Sequence, residues 1–182
     1  MEKENVNIKN EIISFLKEIV ICFLLVFLMK TFILMPVQVR GESMLPTLKD
    51  KELAFSNLIG YRVSGLERFD IAIIRIEEKD EYIVKRVIGL PGETLSYKNE
   101  QLYINGEPVA ETFFNEEYRS QFDEFTEDIG PVTLGEDEYF CLGDNRVNSS
   151  DSRVYGPFKK EKIASKGLFA IWPFSEMGVH TW

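Results

Sequence analysis

The hydrophobic residues of the chain form one long run near its start and a series of short runs afterwards. Residues 12–35 are predominantly apolar. Residues 19–29 carry no charge, and a lysine follows them at position 30. The run is apolar all round rather than along one stripe, and about 20 residues suffice for a helix to cross a bilayer. Pro36 does not easily continue a helix and marks its exit. The pattern predicts a cytoplasmic tail and transmembrane anchor in residues 1–36.

Two other interpretations of residues 12–35 are a buried core helix and a cleavable targeting segment. A core helix is disfavoured because the run lacks a polar face, and a cleavable segment would need small residues after the run, which residues 31–36 do not offer. Lys3, Lys9 and Lys17 precede the uncharged stretch, whereas Lys30 and Arg40 follow it. The positive-inside rule therefore places the N-terminus in the cytoplasm and the bulk of the chain outside.

The rest of the chain predicts β-structure. After Pro36 the apolar runs are short, and turn residues such as Asn105-Gly106 and Pro91-Gly92 separate them. The predicted strands are residues 37–40, 52–55, 69–75, 82–88, 94–97, 101–104, 139–142 and 168–172. Many short strands without long helices between them predict a mainly β fold, a partly open barrel or sandwich, in residues 37–182.

Residues 93–138 form an acidic excursion within this β domain. They hold 13 acidic residues against Lys98 and Arg119, a net charge of −11, so that the rest of the chain is about +2. Between residues 112 and 129, four aromatic residues recur at helical spacing: Phe114, Tyr118, Phe122 and Phe125. This stripe predicts a packed surface helix or an ordered excursion rather than a ligand site.

Charge and residue counts exclude several classes of function. The chain has 21 Lys and Arg against 30 Asp and Glu, a net charge of −9, which disfavours nucleic acid as a partner. The single histidine, His180, lies two residues from the C-terminus, a poor position for a Ser-His-Asp triad or a histidine-rich metal site. Cys22 lies in the apolar run and Cys141 in a polar context, so a disulfide between them is disfavoured. Any catalysis must therefore use Ser, Thr, Lys, Asp, Glu, Tyr or a lone Cys.

A first candidate for chemistry is Ser43, in the sequence Gly-Glu-Ser-Met-Leu-Pro. It follows the predicted membrane exit by a few residues and lies between Gly41 and Pro46. A serine on such a constrained loop can be held exposed as a nucleophile. An ordinary turn serine is the alternative.

A second candidate is Lys85, in the predicted strand 82–88. Alternate residues of a strand share a face, so Lys85 lies on the face of Ile83 and Val87, while Arg86 points the other way. A lysine that faces an apolar interior loses hydration of its charged form, and lowering its pKa from about 10.4 to about 8 corresponds to roughly 3 kcal/mol. The neutral amine can then accept a proton from serine. The alternatives are that Lys85 reaches the sheet edge or pairs with an acid.

The third motif is the polar run Gly-Asp-Asn-Arg-Val-Asn-Ser-Ser-Asp-Ser-Arg, residues 143–153, which follows the predicted strand 139–142. Such a run is often a solvent loop. It can also support an active site, because Asp and Arg pairs fix the shape of a loop and a hydroxyl can orient an amine.

Taken together, the three motifs resemble those of the bacterial type I signal peptidases, membrane-bound Ser/Lys endopeptidases that remove secretory signal peptides. The order of anchor, serine motif, strand 69–74, lysine strand and Gly-Asp-Asn loop matches the family from the anchor to about Phe174. The short interval between the lysine strand and the Gly-Asp-Asn loop resembles the compact, single-anchor form typical of Gram-positive bacteria. The resemblance implies a signal-peptidase-like β domain outside the membrane.

The resemblance also implies roles for single residues. Ser43 would be the nucleophile and Lys85 the general base, and Ser149 matches the hydroxyl that orients the lysine amine. Met44 matches a residue that helps to line the substrate pocket. Gly41 stands where some relatives have a hydroxyl, so that the donor beside the Ser43 backbone N–H would be another backbone group or a water.

Two ion pairs are implied in the same way. Asp151 and Arg153 match a structural ion pair of the family, and Asp144 would pair with Arg86. These pairs would fix the loop that supports the lysine.

The activity implied is cleavage of secreted preproteins after small-x-small sites such as Ala-x-Ala, through an acyl-enzyme and without a cofactor. The partners implied are the signal peptides of preproteins and the lipid bilayer, with the catalytic domain on the outer side of the cytoplasmic membrane. Trp172, Phe174 and Trp182 would suit the membrane interface, although core packing explains Trp172 equally well.

Three rival functions are weaker. A soluble self-cleaving Ser/Lys peptidase of the repressor type should lack a membrane-length apolar run. A penicillin-binding enzyme needs a Ser-x-x-Lys motif, and the only notable match, Ser14 to Lys17, lies at the start of the anchor. A catalytically inactive membrane-anchored binding module would have no need of both Ser43 and Lys85.

Overall fold

The structure, a computed structural model, describes residues 8–28, 30 and 33–180, with the side chains of residues 8–10 and of His180 excepted. The first helix, α1, comprises Ile8–Leu28, and its side chains from Glu11 onwards are exposed. Across the described residues, no helix combines the length and the apolar character that a membrane crossing requires. Residues 1–7 of the predicted tail, residues 29, 31 and 32 of the apolar run, and Trp182 lie outside the described residues. The single-pass topology stays a prediction.

The rest of the described chain is built mainly from short strands. In chain order they are β1 (Leu34–Gln38), β2 (Leu53–Asn57), β3 (Ile71–Ile76), β4 (Glu81–Gly89), β5 (Thr94–Lys98), β6 (Gln101–Ile104), β7 (Glu107–Val109), β8 (Ile129–Thr133), β9 (Glu138–Leu142), β10 (Phe158–Lys159), β11 (Ile163–Trp172) and β12 (Gly178–His180). Three short α-helices accompany them: α2 (Leu58–Ser64), α3 (Glu116–Arg119) and α4 (Ser152–Tyr155). The predicted mainly β fold is confirmed.

The strands form two open antiparallel sheets. The larger sheet has the order β1-β2-β11-β3-β4-β9-β10, with β12 paired to β11, and the smaller has the order β7-β6-β5-β8. The smaller sheet lies within the acidic excursion predicted for residues 93–138. After β4 the chain therefore forms the smaller sheet, and it then returns to the main sheet as β9.

The central position of β3 in the sheet fixes the register of the neighbouring strand β4. The first four residues of β3 are completely buried, and alternate residues of the strand belong to two different core clusters. Ile71 and Ile73 pack with Met44 and Leu48, whereas Ala72 joins a cluster on the other face of the sheet. A strand buried on both faces holds its partners in one register, because a shift of one residue would exchange the two faces.

Of the two alternatives predicted for residues 112–129, the structure has the ordered excursion and not the packed surface helix. The aromatic stripe between residues 112 and 129 folds as a single helical turn, α3, rather than as a long helix. Its rings turn inward and contact one another, with the Phe114 and Phe122 rings 5.2 and 5.5 Å from that of Phe125. Inward contacts between rings require a folded-back chain, whereas a helix would have presented them along one outer stripe.

Candidate active site

The Ser43 hydroxyl and the Lys85 amine meet beside β4, an inner strand of the main sheet. Lys85 Nζ donates a hydrogen bond of 2.7 Å to Ser43 Oγ, and a second bond of 3.0 Å to the carbonyl of Val84. Ser43 lies on a tight loop in which Leu48 N bonds to the Met44 carbonyl at 2.9 Å. Burial of Met44 and Leu48 in the core fixes this loop, so that Ser43 is held at the end of the lysine side chain.

The environment of Lys85 favours its neutral form. The residue is only 3% exposed, and it lies on β4 directly opposite Ala72 of β3. The pKa of Lys85 is lowered from 10.5 to about 8, chiefly by burial and also by the charge of Arg153, while Asp151, Asp144 and Cys141 act in the opposite direction. With a pKa of about 8, about a tenth of the molecules hold a neutral amine at pH 7. A buried neutral amine in contact with a hydroxyl is able to act as a general base.

A buried ion pair stands behind the lysine strand. Arg86 Nε and Nη2 donate to the two oxygens of Asp144 at 2.7 and 2.6 Å, and both side chains are almost fully buried. Arg86 Nη1 also donates to the carbonyl of Phe69 at 2.8 Å. Thr47, four residues after Ser43, donates its hydroxyl to Asp144 Oδ2 at 2.6 Å. The carboxylate therefore ties the serine loop to the lysine strand.

The loop after β9 also binds the serine loop through backbone groups. Asn145 N donates to the Ser43 carbonyl at 3.0 Å, and its side-chain amide donates to the Glu42 carbonyl at 3.1 Å. Because two carbonyls of the serine loop are held from one residue, the orientation of the peptide groups around Ser43 is fixed.

A second ion pair holds the far end of this loop. Arg153 Nε and Nη2 donate to Asp151 at 2.9 and 2.8 Å, and Gly143 N donates to the same carboxylate at 3.0 Å. Burial opposes ionisation of Asp151, but the hydrogen bonds from Arg153 and Gly143 outweigh it and lower the pKa of the carboxyl. Asp151 is therefore a fixed negative charge near the Lys85 amine.

A cleft of about 510 Å³ opens beside Ser43 and Lys85. One wall is the chain from Met35 to Gly41, and the other is residues 80–85. Strand β4 pairs with β9 at Arg86, Val87 and Gly89, so that its earlier residues meet the cleft along the edge that β3 does not occupy. Backbone N–H and C=O groups on such an edge can pair with an extended peptide.

Comparison with known proteins identifies the family to which this arrangement belongs. The sequence matches the family described as signal peptidase, peptidase S26, over residues 12–172. The chain belongs to this family. Signal peptidase I S of Bacillus subtilis (strain 168) is 43% identical over 182 residues, which is 97% of this chain and 98% of that protein. Signal peptidase IB of Staphylococcus aureus (strain COL) is 36% identical, over 92% of this chain and 93% of that protein.

A solved structure gives the same result at the level of the fold. A signal peptidase I from Enterococcus faecalis V583 is 35% identical and superposes with a TM-score of 0.51, over 56% of this chain and 95% of that chain. The resemblance to signal peptidases is therefore confirmed, and with it the assignment of the chain as a peptidase.

Two residues that the family resemblance singled out stand apart from the contacts of the dyad. The Ser149 hydroxyl is buried and makes no hydrogen bond to Lys85; it lies near Asp151 and helps to lower the pKa of that carboxyl. The Gly41 N–H donates to Asp50 at 2.9 Å and is thereby engaged, and a side chain built at Gly41 would meet open space.

Three residues take part in the site without having been predicted individually. Thr47 and Asn145 lie inside the motifs that drew attention to Ser43 and to the Gly-Asp-Asn loop, so that their place near the site could have been inferred. Glu111 comes from the acidic excursion and bonds to Arg146 of the Gly-Asp-Asn loop at 2.5 Å. No local signal links Glu111 to that loop, because the two residues are 35 positions apart.

Within the described part of the chain, no cluster of three acidic, histidine or cysteine side chains is arranged to hold a metal ion.

Proposed function

We propose that the chain is a membrane-bound serine endopeptidase that removes N-terminal signal peptides from secreted preproteins through a Ser43/Lys85 dyad. The observation that carries this proposal is the 2.7 Å hydrogen bond between the buried Lys85 amine and Ser43 Oγ. The family to which the chain belongs and the cleft beside these two groups support the same substrate class.

The dyad works by moving one proton. Neutral Lys85 takes the proton of Ser43, and the serine oxygen attacks the carbonyl of the scissile peptide bond. The backbone N–H of Ser43 stabilises the oxyanion of the tetrahedral intermediate. The lysine then gives its proton to the leaving amine, which leaves an acyl-enzyme on Ser43. Water, activated by the same amine, attacks the ester and releases the signal peptide.

The cleft selects the substrate by shape. An extended peptide pairs with the free edge of residues 82–84 and places its carbonyl at Ser43. Met44 lines the cleft from a rigid position in the core, and shallow pockets of this kind accept Ala and similar small side chains. Ser149 supports the dyad through the Asp151 charge, and the pairs Arg86–Asp144 and Asp151–Arg153 hold the loop in place.

The membrane holds enzyme and substrate together. The apolar run of residues 12–35 anchors the chain as a single pass with the N-terminus inside, and β1 begins at the end of this run. A second contact comes from exposed apolar side chains on β11 and the segment after it: Phe169, Trp172, Phe174, Met177 and Val179. The catalytic domain then lies on the outer surface of the cytoplasmic membrane, where the apolar segment of a signal peptide ends. Confinement at one surface raises the effective concentration of substrate.

Cleavage of a preprotein by the detergent-solubilised full chain tests this function. Wild type should cleave a secretory precursor after an Ala-x-Ala segment, whereas Ser43→Ala and Lys85→Ala should each lose this activity and keep the fold. Lys98→Ala, which removes an exposed lysine of the second sheet, is the matched control and should cleave normally. Cleavage by either dyad variant would refute the proposal.

A further inference from the structure

Two aromatic rings of the acidic excursion lie on the two buried arginines behind the dyad. We call residues 111–126, which connect β7 and β8, the aromatic strap. The ring of Phe113 lies 4.1 Å from the guanidinium carbon of Arg86, and the ring of Phe114 lies 4.7 Å from that of Arg146. Both distances are within the range of a cation–π contact, which is strongest where water is excluded.

The strap is itself held in place by polar contacts. Glu111 accepts bonds from Arg146 and from the hydroxyl of Tyr97, at 2.5 and 2.6 Å. At the other end of the strap, Thr126 Oγ1 accepts a bond from Arg146 Nη1 at 3.2 Å. Arg146 in turn donates to the Gly143 carbonyl at 3.1 Å, in the loop that supplies Asp144. The strap therefore closes over the loop from both ends.

Within the aromatic strap, Phe113 contacts Arg86, the residue that follows Lys85 in the chain. Its ring packs against that of Phe69 at 5.1 Å and that of Phe114 at 4.5 Å, so that it is wedged over the Arg86 guanidinium. Arg86 is the residue next to Lys85 in β4, and its fork holds Asp144. A change in the packing of Phe113 on Arg86 therefore alters the environment of Lys85 through one ion pair, that of Arg86 with Asp144.

We propose that Phe113 is a positioning residue for Lys85, because its ring keeps the Arg86–Asp144 pair dry and closed and thereby keeps water and uncompensated negative charge away from the amine. This inference rests on the proposed function, in which Lys85 is the base. It assigns to the strap a task at the active site that its sequence, an acidic and aromatic surface segment, does not indicate.

The charges that face Lys85 give the direction of the effect. Asp144 and Asp151 favour the charged amine, Arg153 opposes it, and Cys141 is a weakly acidic neighbour on β9. When the ring of Phe113 is lost, water reaches the ion pair and Arg86 neutralises Asp144 less completely. Both the added water and the freed negative charge raise the pKa of Lys85.

The test is the pH dependence of cleavage by full-length variants in detergent. Phe113→Leu removes the ring but keeps an apolar side chain, and should move the midpoint of the rise in kcat/KM upward by at least about half a pH unit. At pH 7 this shift costs about threefold in the neutral amine, and activity should recover at high pH. Phe113→Tyr keeps the ring and should restore the wild-type midpoint.

Phe122→Leu is the matched control, because Phe122 is a partly buried ring of the same strap that contacts Tyr118 and Phe125. It should leave the midpoint unchanged. If Phe113→Leu does not fold, Phe113→Met provides an apolar side chain without a ring in its place. An unchanged midpoint in the folded Phe113 variant, or an equal shift in Phe122→Leu, would overturn the proposal.

A second measurement separates this inference from the proposed function. The shift of the Lys85 ¹³Cε resonance with pH, in full-length protein labelled with ¹³C-lysine and assigned with Lys85→Ala, reports the amine directly. The midpoint should be higher in Phe113→Leu than in wild type, whether or not either protein cleaves a preprotein. Equal midpoints would refute the role of Phe113, whereas a wild type that fails to cleave would refute the proposed function alone.

Discussion

At the scale of single residues, the proposed active site depends on a lysine whose pKa is lowered by folding. Lys85 is 3% exposed, and its pKa of about 8 means that the folded protein binds its proton less tightly than the unfolded chain does. Between pH 8 and 10.5 the unfolded chain binds more protons, so that stability rises with pH in this window. Below pH 8 the full cost of burying the amine is present.

Replacement of this lysine should therefore stabilise the fold while it abolishes cleavage. Lys85→Met keeps the length of the side chain and removes the charge. At pH 7 it should raise the free energy of unfolding by up to about 3 kcal/mol, reduced by the lost hydrogen bond to Ser43. Chemical denaturation at pH 7 and pH 10 measures the difference, and the gain should shrink at pH 10. A destabilised variant at pH 7 would contradict the low pKa of Lys85.

Gly143 is where the supporting loop passes closest to the serine. A Cβ at this position would overlap with the Ser43 carbonyl and with the Ser149 hydroxyl. Gly143→Ala should therefore displace the serine loop and lower kcat by about 100-fold or more, since small displacements of reacting groups have effects of this order. Gly130→Ala, at a glycine whose Cβ would meet open space, is the control and should cleave normally. Normal kinetics of Gly143→Ala would show that the close approach is not required.

The dyad was predictable from sequence, whereas its surroundings were only partly so. The apolar neighbours Ile83 and Val87 indicate that Lys85 faces the interior, which explains why its low pKa could be anticipated. The resemblance implied the Arg86–Asp144 pair, which the structure contains. The bond of Gly41 N–H to Asp50 and the missing hydrogen bond between Ser149 and the Lys85 amine depend on side-chain packing that no spacing encodes.

At the scale of elements, one buried pair joins β4, the loop after β9 and the serine loop. Asp144→Asn should leave the Arg86 guanidinium without its full countercharge and cost about 3–5 kcal/mol of stability, as the loss of one partner of a buried pair does. Denaturant titration measures this loss. Asp80→Asn breaks the exposed pair with Arg75 and should cost less than about 1 kcal/mol. Equal effects of the two substitutions would show that burial does not make the Arg86 pair special.

The elements that sequence predicted are those with a regular hydrophobic pattern. All eight predicted strands overlap an observed strand, and residues 101–104 have the predicted bounds of β6. Strand β1 departs most from its prediction: it begins at Leu34, inside the apolar run assigned to the anchor, and shares only residues 37 and 38 with the predicted strand 37–40. Strand β11 begins at Ile163, earlier than predicted. The prediction missed its first residues because Ser165 and Lys166 interrupt the apolar pattern there. β7 and β8 were missed since they contain Pro108 and Pro131, and proline is tolerated in strands mainly at sheet edges. The helix that was one of the two alternatives for residues 112–129 is confined to a single turn, because contacts with distant arginines override local spacing.

At the scale of the whole molecule, the proposed function requires that the proposed anchor and the exposed apolar side chains of β11 hold the cleft at a membrane surface. A chain that begins at Ile33 retains the whole of β1 and loses the proposed anchor. It should cleave a soluble Ala-x-Ala peptide at the rate of the full chain in detergent. On preproteins in lipid vesicles, at equal enzyme concentration, it should be slower by about 10-fold or more, because confinement no longer concentrates the enzyme. Equal rates in vesicles would contradict the role of the anchor.

The central claim is that a neutral amine at position 85 removes the proton of Ser43. The most direct measurement is the rate at which Ser43 of the full-length protein is acylated by a peptide ester, followed by mass spectrometry from pH 6 to pH 10. The rate should rise with pH as Lys85 loses its proton, with a midpoint near the pKa of about 8, and then level off. A rate that is flat from pH 6 to pH 9, or one that rises only around the ordinary lysine value of 10.5, would contradict the account.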